Sequence, residues 1–326
     1  MKNALSIFVL LTLLACGQSD DDGGTDDDMP VQSGLIENQV IDIAGTDREY
    51  HLFVPSNPTN APVVLLFHGN GGSHDNLIGL TNASSPYKVW LDIAQDENII
   101  LAIPNGTLGS GNSRGWNDCR SDAPTNPDIE DVLFVSTLID SIVDRYNANA
   151  AKVFVLGTSN GGHLCIRLAE EIPDKLTAFG AIVASNSVNS QCAGSNVPVS
   201  ALFIHGTSDP VLPYEGGMIS SERGQVFSAE ETVHHWVNRN ETETMPELIS
   251  IPDIDLTDGS TIEKRIFRNG RDNTEVVFYK VIDGGHTEPS IEERYSNFFL
   301  AIVGNQNADV EMANEVWSFF ETKSKQ

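Results

Sequence analysis

The chain has 326 residues, 40% of them hydrophobic and 20% charged. That is ordinary globular composition, which excludes wholesale disorder. With 19 basic and 46 acidic residues the net charge is −27, which repels phosphate backbones and anionic surfaces and so argues against nucleic acid and polyanionic substrates.

The N-terminus reads as an export signal over residues 1–15. Lys2 is followed by an apolar run from Ala4 to Ala15, broken only by Ser6 and Thr12 and ending at Cys16. The run is too short to span a bilayer as a helix. Leu13-Leu14-Ala15-Cys16 resembles the lipobox of bacterial lipoproteins, which implies cleavage before Cys16 and a lipid on its sulfur. Residues 16–34 then form a tether. Gln18 to Met29 is a Gly/Asp segment whose like charges repel, so it suits a solvated spacer better than a calcium site. The Ser19-Asp20-Asp21-Asp22 run looks like an acidic signal that sends lipoproteins to the outer surface. The expected location is therefore the outer membrane, exposed at the cell surface and held only by the lipid anchor. Once Cys16 is assigned, three cysteines remain. Cys165 lies in an apolar helical pattern and reads as a buried thiol, whereas Cys119 and Cys192 lie in loop-like sequence. An oxidising compartment favours pairing those two.

Residues 35–326 read as one domain in which strands and helices alternate. Gln39–Ile43 and Glu49–Val54 suggest an opening hairpin around Gly45-Thr46-Asp47. The unbroken apolar run Pro62–Phe67 fits a strand buried on both faces. A helix follows over Lys88 to Glu97, then a strand over Ile99–Ile103. Asn105 to Pro127 is a long Gly/Asn/Ser loop, of a length that is often functional. Asp128 to Tyr146 carries a helical apolar stripe. Beyond it come a strand (Lys152–Leu156), a helix (Gly162 to Glu171), two strands (Ala178–Ala184, Val199–Ile204) and a helix (Ala229 to Val237). Residues 238–275 form an acidic, polar insertion around one strand, Ile262–Phe267. The strand Val276–Val281 and the helix Val310 to Phe320 close the chain. This alternation predicts an α/β fold with a mostly parallel central sheet and helices on both faces.

Gly157-Thr158-Ser159-Asn160-Gly161 matches G-x-S-x-G, with a strand leading in and a helix leading out. That is the setting of a nucleophile elbow, which presents the serine at the carboxyl end of the sheet. A serine hydroxyl needs a base. Among eight histidines, His286 stands in Asp283-Gly284-Gly285-His286-Thr287 directly after the last strand and is the candidate base. His234 and His235 sit on a helix, and His163 lies within the helix after the elbow. Asp209, in His205-Gly206-Thr207-Ser208-Asp209-Pro210, follows a strand end and gives the chain order Ser…Asp…His of α/β-hydrolases. Asp283 is the rival acid, on the same short loop as His286. His68-Gly69-Asn70-Gly71-Gly72 resembles an HGGG-type loop, which names the backbone amides of Asn70 and Asn160 as oxyanion donors. His68 itself reads as structural.

The segments LLFHGNGGS, PNGTLGSGNSRGWNDC, VLGTSNGGH, LFIHGTSDPVLPYEGG, IDGGHTEP and ANEVWSFF, in that order from about residue 50 to 320, resemble the polyhydroxybutyrate depolymerase/feruloyl esterase group of α/β-hydrolases. The resemblance implies an α/β-hydrolase fold and a catalytic triad of Ser159, Asp209 and His286. It also places Trp116-Asn117 at the family's Trp-Asn loop as candidate substrate-binding residues, with Trp116 read as a pocket wall for an aromatic or sugar ring and ordinary loop packing as the alternative. One departure is Glu288, where family members often carry a Trp after the His-Thr pair. The implied reaction is ester hydrolysis through an acyl-enzyme, with no metal or organic cofactor. Feruloyl or acetyl esters on xylan are the first expected substrates. A polyhydroxyalkanoate or other polyester is the second, and a catalytically silent glycan-binding surface protein is the alternative of a different class. Oligomeric state is not legible.

Overall fold

The computed structural model describes residues 32–81 and 83–325. The export signal, Cys16 and all but the end of the acidic tether lie outside the described residues. A ten-stranded sheet carries the architecture. Its strands are β1 (Gly34–Ile43), β2 (Thr46–Val54), β3 (Val63–Phe67), β4 (Ile100–Pro104), β5 (Val153–Thr158), β6 (Ala178–Ile182), β7 (Ser200–Gly206), β8 (Glu247–Ser250), β9 (Thr261–Phe267) and β10 (Val276–Ile282). The spatial order is β1-β2-β4-β3-β5-β6-β7-β10-β9-β8. The six strands from β4 to β10 pair in parallel. The hairpin β1–β2 on one edge and the strands β9 and β8 on the other pair antiparallel.

The helices of seven residues or more among the described residues are α1 (Val89–Asp96), α2 (Asp131–Tyr146), α3 (Asn160–Glu171), α4 (Ala229–Asn240), α5 (Asn297–Val303) and α6 (Met312–Phe320). They cover both faces, and the side-chain alternation of the strands shows why. In β3, Val63, Leu65 and Phe67 point into a core closed by α2, α3 and α4, whereas Val64 and Leu66 point into a second core closed by α1 and α6. A strand covered on both sides has no polar face to show, which is why its sequence reads as a continuous apolar run. In the second core Trp90 of α1 packs edge-on to Trp317 of α6, and Phe320 stacks on Phe154 at 4.7 Å.

The structure corrects the reading of residues 238–275. The insertion holds two strands, β8 and β9, which extend the sheet beyond β10. β8 was missed because an edge strand needs few apolar residues; its Leu248 is 65% exposed. Helix α5 (Asn297–Val303) is likewise absent from the sequence reading, and further differences are of boundary. α3 starts at Asn160 rather than Gly162, α4 runs on to Asn240, and β1 starts at Gly34.

Candidate active site

Strand β5 ends at Thr158 and helix α3 begins at Asn160, so Ser159 alone makes the turn between them. Its backbone sits at φ 52°, ψ −118°, a region that costs a non-glycine residue of order 1–3 kcal/mol. The turn is pinned from both sides. Ser159 N–H donates to the Ile182 carbonyl at 2.8 Å, and His163 N–H donates to the Ser159 carbonyl at 2.9 Å. Gly157 and Gly161 face each other across the turn. A Cβ on Gly157 would lie 2.4 Å from the Gly161 backbone, and one on Gly161 would lie 2.4 Å from the Phe67 carbonyl. Both glycines are therefore required by close approach, not by their own dihedral angles.

His286 follows β10, and Asp209 follows β7, its parallel neighbour. His286 Nδ1 lies 2.7 Å from Asp209 Oδ2, with the carboxylate fully buried. The other oxygen, Asp209 Oδ1, accepts the backbone N–H groups of Val211 and Leu212, each at 2.8 Å. Three hydrogen bonds thus fix the carboxylate facing the imidazole. Glycines permit the approach here too, because a Cβ on Gly206 would meet the Gly284 carbonyl at 2.3 Å. The rival acid Asp283 is exposed and reaches only Ser208 Oγ at 3.5 Å. Ser159 and His286 line one cleft of ≈ 770 Å³. No hydrogen bond joins Ser159 Oγ to His286 in this structure; catalytic hydrogen bonds of this kind tighten when substrate binds.

Asn70 lies in the loop after β3, beside Gly69, whose Cα–H side faces Ser159; a Cβ on Gly69 would contact Ser159 Cβ at 3.4 Å. Asn160 is the first residue of α3, where backbone N–H groups have no intrahelical acceptor. The loop is braced by His68. Its Nε2 accepts the Gly106 N–H at 3.0 Å and its Nδ1 lies 2.8 Å from the Gly69 carbonyl. Burial holds the His68 pKa down to about 4, so the ring is neutral and structural.

Trp116 and Asn117 do not line the cleft, which corrects the expectation of a pocket wall. Trp116 is fully buried; its Nε1 donates to the His68 carbonyl at 2.8 Å, and its N–H donates to Asn160 Oδ1 at 2.7 Å. Asn117 donates its N–H to Asp131 and its side-chain amide to the Ile129 carbonyl. Both residues are struts: Trp116 fastens the long loop to the end of β3 and the start of α3, and Asn117 fastens it to the start of α2. Two buried ion pairs that sequence reasoning missed lie within and beside the loop. Asp118 pairs with Arg120 at 2.5 Å and accepts from Asn160 Nδ2 at 2.6 Å, while Arg48 of β2 pairs with Asp131 of α2 at 2.6 Å. Arg120 holds the Asp118 carboxyl below its ordinary range against the effect of burial. Only the two-residue spacing of Asp118 and Arg120 was a signal, and it is a weak one. Cys119 and Cys192 form a disulfide, with Cα atoms 5.4 Å apart, and Cys165 is a buried thiol.

Leu77, Tyr87, Val211, Glu288, Tyr295 and Phe299 also line the cleft. Glu288 is buried and accepts the Tyr295 hydroxyl at 2.6 Å. Burial and this neighbouring carboxylate push the Tyr295 pKa well up, so the phenol keeps its proton. The histidines and acid nearest to a metal-binding set, His51, His74 and Asp75, are arranged differently. His51 Nδ1 accepts the Asn38 N–H, so its Nε2 carries the proton and donates to Asp75 at 2.7 Å. That tautomer leaves no lone pair on Nε2 for a metal.

Comparison with known proteins gives the family. Residues 50–249 match the model of the family described as phospholipase/carboxylesterase. A protein named "Probable feruloyl esterase C" from Aspergillus niger is 32% identical over 67% of this chain and 74% of its own length. Feruloyl esterase C of Emericella nidulans is 31% identical over 66% of this chain and 73% of its own. A bifunctional acetylxylan esterase/xylanase from Neocallimastix patriciarum is 28% identical over 60% of this chain, which spans 27% of that larger enzyme. The fold is that of an α/β-hydrolase. The chain belongs to the phospholipase/carboxylesterase family and is a carboxylic-ester hydrolase.

Proposed function

We propose that the protein is a serine esterase that removes feruloyl or acetyl groups from plant cell-wall polysaccharide through an acyl-enzyme. The observation that carries the reading is the His286–Asp209 pair at 2.7 Å in the same cleft as Ser159 on its strained turn. Ser159 Oγ attacks the ester carbonyl while His286 Nε2 takes its proton. Asp209 holds the proton on Nδ1 and stabilises the imidazolium. The N–H groups of Asn70 and Asn160 receive the charge that develops on the carbonyl oxygen, a contribution of several kcal/mol for such a pair of donors. The imidazolium then protonates the leaving sugar hydroxyl. Water repeats the sequence on the acyl-enzyme and frees the acid.

Relatives named feruloyl esterase and acetylxylan esterase support the substrate class. An ester on a polymer too large to enter the cell also fits an exported enzyme with a lipid on Cys16, although that segment lies outside the described residues. The decisive experiment compares wild type with Ser159→Ala on feruloylated and acetylated xylan and on 4-nitrophenyl acetate. Loss of the nucleophile should lower turnover by about 10⁴-fold or more. Xylan turnover retained in Ser159→Ala would overturn the mechanism. Turnover of the small ester alone would discard xylan and leave a polyester as the substrate to test.

A further inference from the structure

Arg223 lines the same cleft as Ser159 and His286, and neither the triad nor the oxyanion loop uses it. It sits in the turn of a short hairpin, Gly217–Met218 paired with Gln225–Val226. The hairpin is fastened just beyond Asp209. Ser220 N–H donates to the Val211 carbonyl at 2.9 Å, and Ser220 Oγ donates to the Pro210 carbonyl at 2.9 Å. The main chain of Arg223 is already engaged: its N–H donates to the Ile219 carbonyl at 3.4 Å, and its carbonyl accepts Arg120 Nη1 at 2.7 Å. What Arg223 offers to the cleft is therefore its side chain.

The side chain is half-buried, and its Nε donates to the Ser220 carbonyl at 2.9 Å. Nη1 and Nη2 have no partner among the described residues and keep accessible surface, unlike the sealed Nη1 of Arg48. No carboxylate pairs with Arg223 among the described residues, its exposed neighbour Glu222 included. The neighbour that acts on its charge is another cation: burial and Arg120 hold its pKa below the ordinary value. Arg120 itself is matched by Asp118. The other titratable groups of the wall are committed. His68 is neutral and braces its loop, His286 faces Asp209, and the buried Glu288 holds the Tyr295 hydroxyl. Tyr87 and Tyr295 keep their protons, because burial pushes both phenols well up. Among the described residues Arg223 is thus the only Arg or Lys in that wall. A guanidinium drawn partly out of water beside a like charge is costly until an anion joins it. With Nε engaged, Nη1 and Nη2 present the end of a planar fork, which matches the two oxygens of a carboxylate. Acidic residues outnumber basic ones 46 to 19, so an arginine without an acid partner leaves room for one from outside. The same excess repels a polyanion, whose repeated charges meet the whole surface. A single carboxylate inside the cleft meets Arg223 first.

We propose that Arg223 is the carboxylate-binding residue of the cleft, and that the preferred esters carry one free carboxylate near the bond that is cleaved. The proposal rests on the reading of Ser159 as an esterase nucleophile. The carboxylate can stand on the alcohol side, as a uronic acid unit of the glycan, or on the acyl side, as the second acid of a dicarboxylic half-ester. The guanidinium contact is the same in both, and two matched pairs of substrates tell them apart. 4-Nitrophenyl hydrogen adipate against 4-nitrophenyl hexanoate tests the acyl side with one leaving group. Acetylated glucuronoxylan oligosaccharides, against the same oligosaccharides with the uronic acid reduced to a neutral sugar, test the alcohol side. Wild type should favour the charged member of one pair by at least about tenfold in kcat/KM, beyond the roughly fivefold that an exposed ion pair can supply. Arg223→Gln should abolish that preference, chiefly through KM. Arg223→Lys keeps the charge without the fork and should retain only part of it; it carries the test if Arg223→Gln fails to fold. Salt at 1 M should narrow the wild-type preference. No preference in either pair, or a preference that neither substitution lowers, would overturn the assignment. Turnover of 4-nitrophenyl acetate by wild type, lost in Ser159→Ala, is measured in parallel and decides the esterase reading separately, so either idea can fail alone.

Discussion

At the scale of single residues, two buried histidines tie the site to acid stability. His68 braces the loop that carries Asn70, and His163 braces the main chain of Ser159. Their pKa values are held down to about 4 and about 3 by burial, while the unfolded chain titrates near 6.5. Between those values the unfolded state binds more protons, so stability rises with pH and falls as pH drops below about 6.5. The folded protein should lose on the order of a few kcal/mol between pH 7 and pH 4 from these rings. A melting temperature that stays level from pH 7 to pH 4.5 would contradict this. Ser159, His286 and Asp209 were legible as a candidate set because each follows a strand within a glycine-flanked motif, and strand ends converge at one edge of a parallel sheet. Trp116 was misread. A motif shows that a residue matters locally, but a large aromatic serves equally as a wall or a strut, and only its burial separates the two.

At the scale of elements, the long loop from Asn105 to Pro127 behaves as a bracket. It is fastened to β3 through Trp116, to α3 through Asn160 and Asp118, and to the segment after β6 through the disulfide. Trp116→Ala should therefore cost about 3–5 kcal/mol of stability, as for other buried tryptophans. It should also lower activity on 4-nitrophenyl acetate, which is too small to need a remote pocket wall. A variant of normal stability with a defect confined to KM for large esters would restore the wall reading. The disulfide closes a loop of 73 residues. Replacing both cysteines by serine should cost about 2–5 kcal/mol, measured by urea denaturation at matched pH. Equal midpoints for the two proteins would show that packing alone holds the bracket.

At the scale of the whole molecule, two apolar cores sit on opposite faces of the sheet, and the cleft opens beside the end of β3 that separates them. The second core lies under α1 and α6, with Phe320 stacked on Phe154. Phe320→Ala should destabilise the protein by about 3–5 kcal/mol while kcat/KM of the folded fraction changes little. A large fall in kcat/KM at unchanged melting temperature would mean that α6 reaches the site by a route the contacts do not show.

The sequence by itself determined the fold class, the strand order in the chain and the three candidate groups of the site. These depend on local signals: apolar runs, helical spacing and glycines at obligatory close approaches. Only the tertiary structure decided that β8 joins the sheet edge, that Asp209 rather than Asp283 faces His286, that Trp116 is buried and that Arg223 lines the cleft. Each of those depends on which side chain meets which across tens or hundreds of residues. A buried ion pair such as Arg48–Asp131, 83 residues apart, leaves no mark in either local stretch of sequence. Burial and partner choice are properties of the packed molecule, and they arise only once the sheet has brought distant strand ends together.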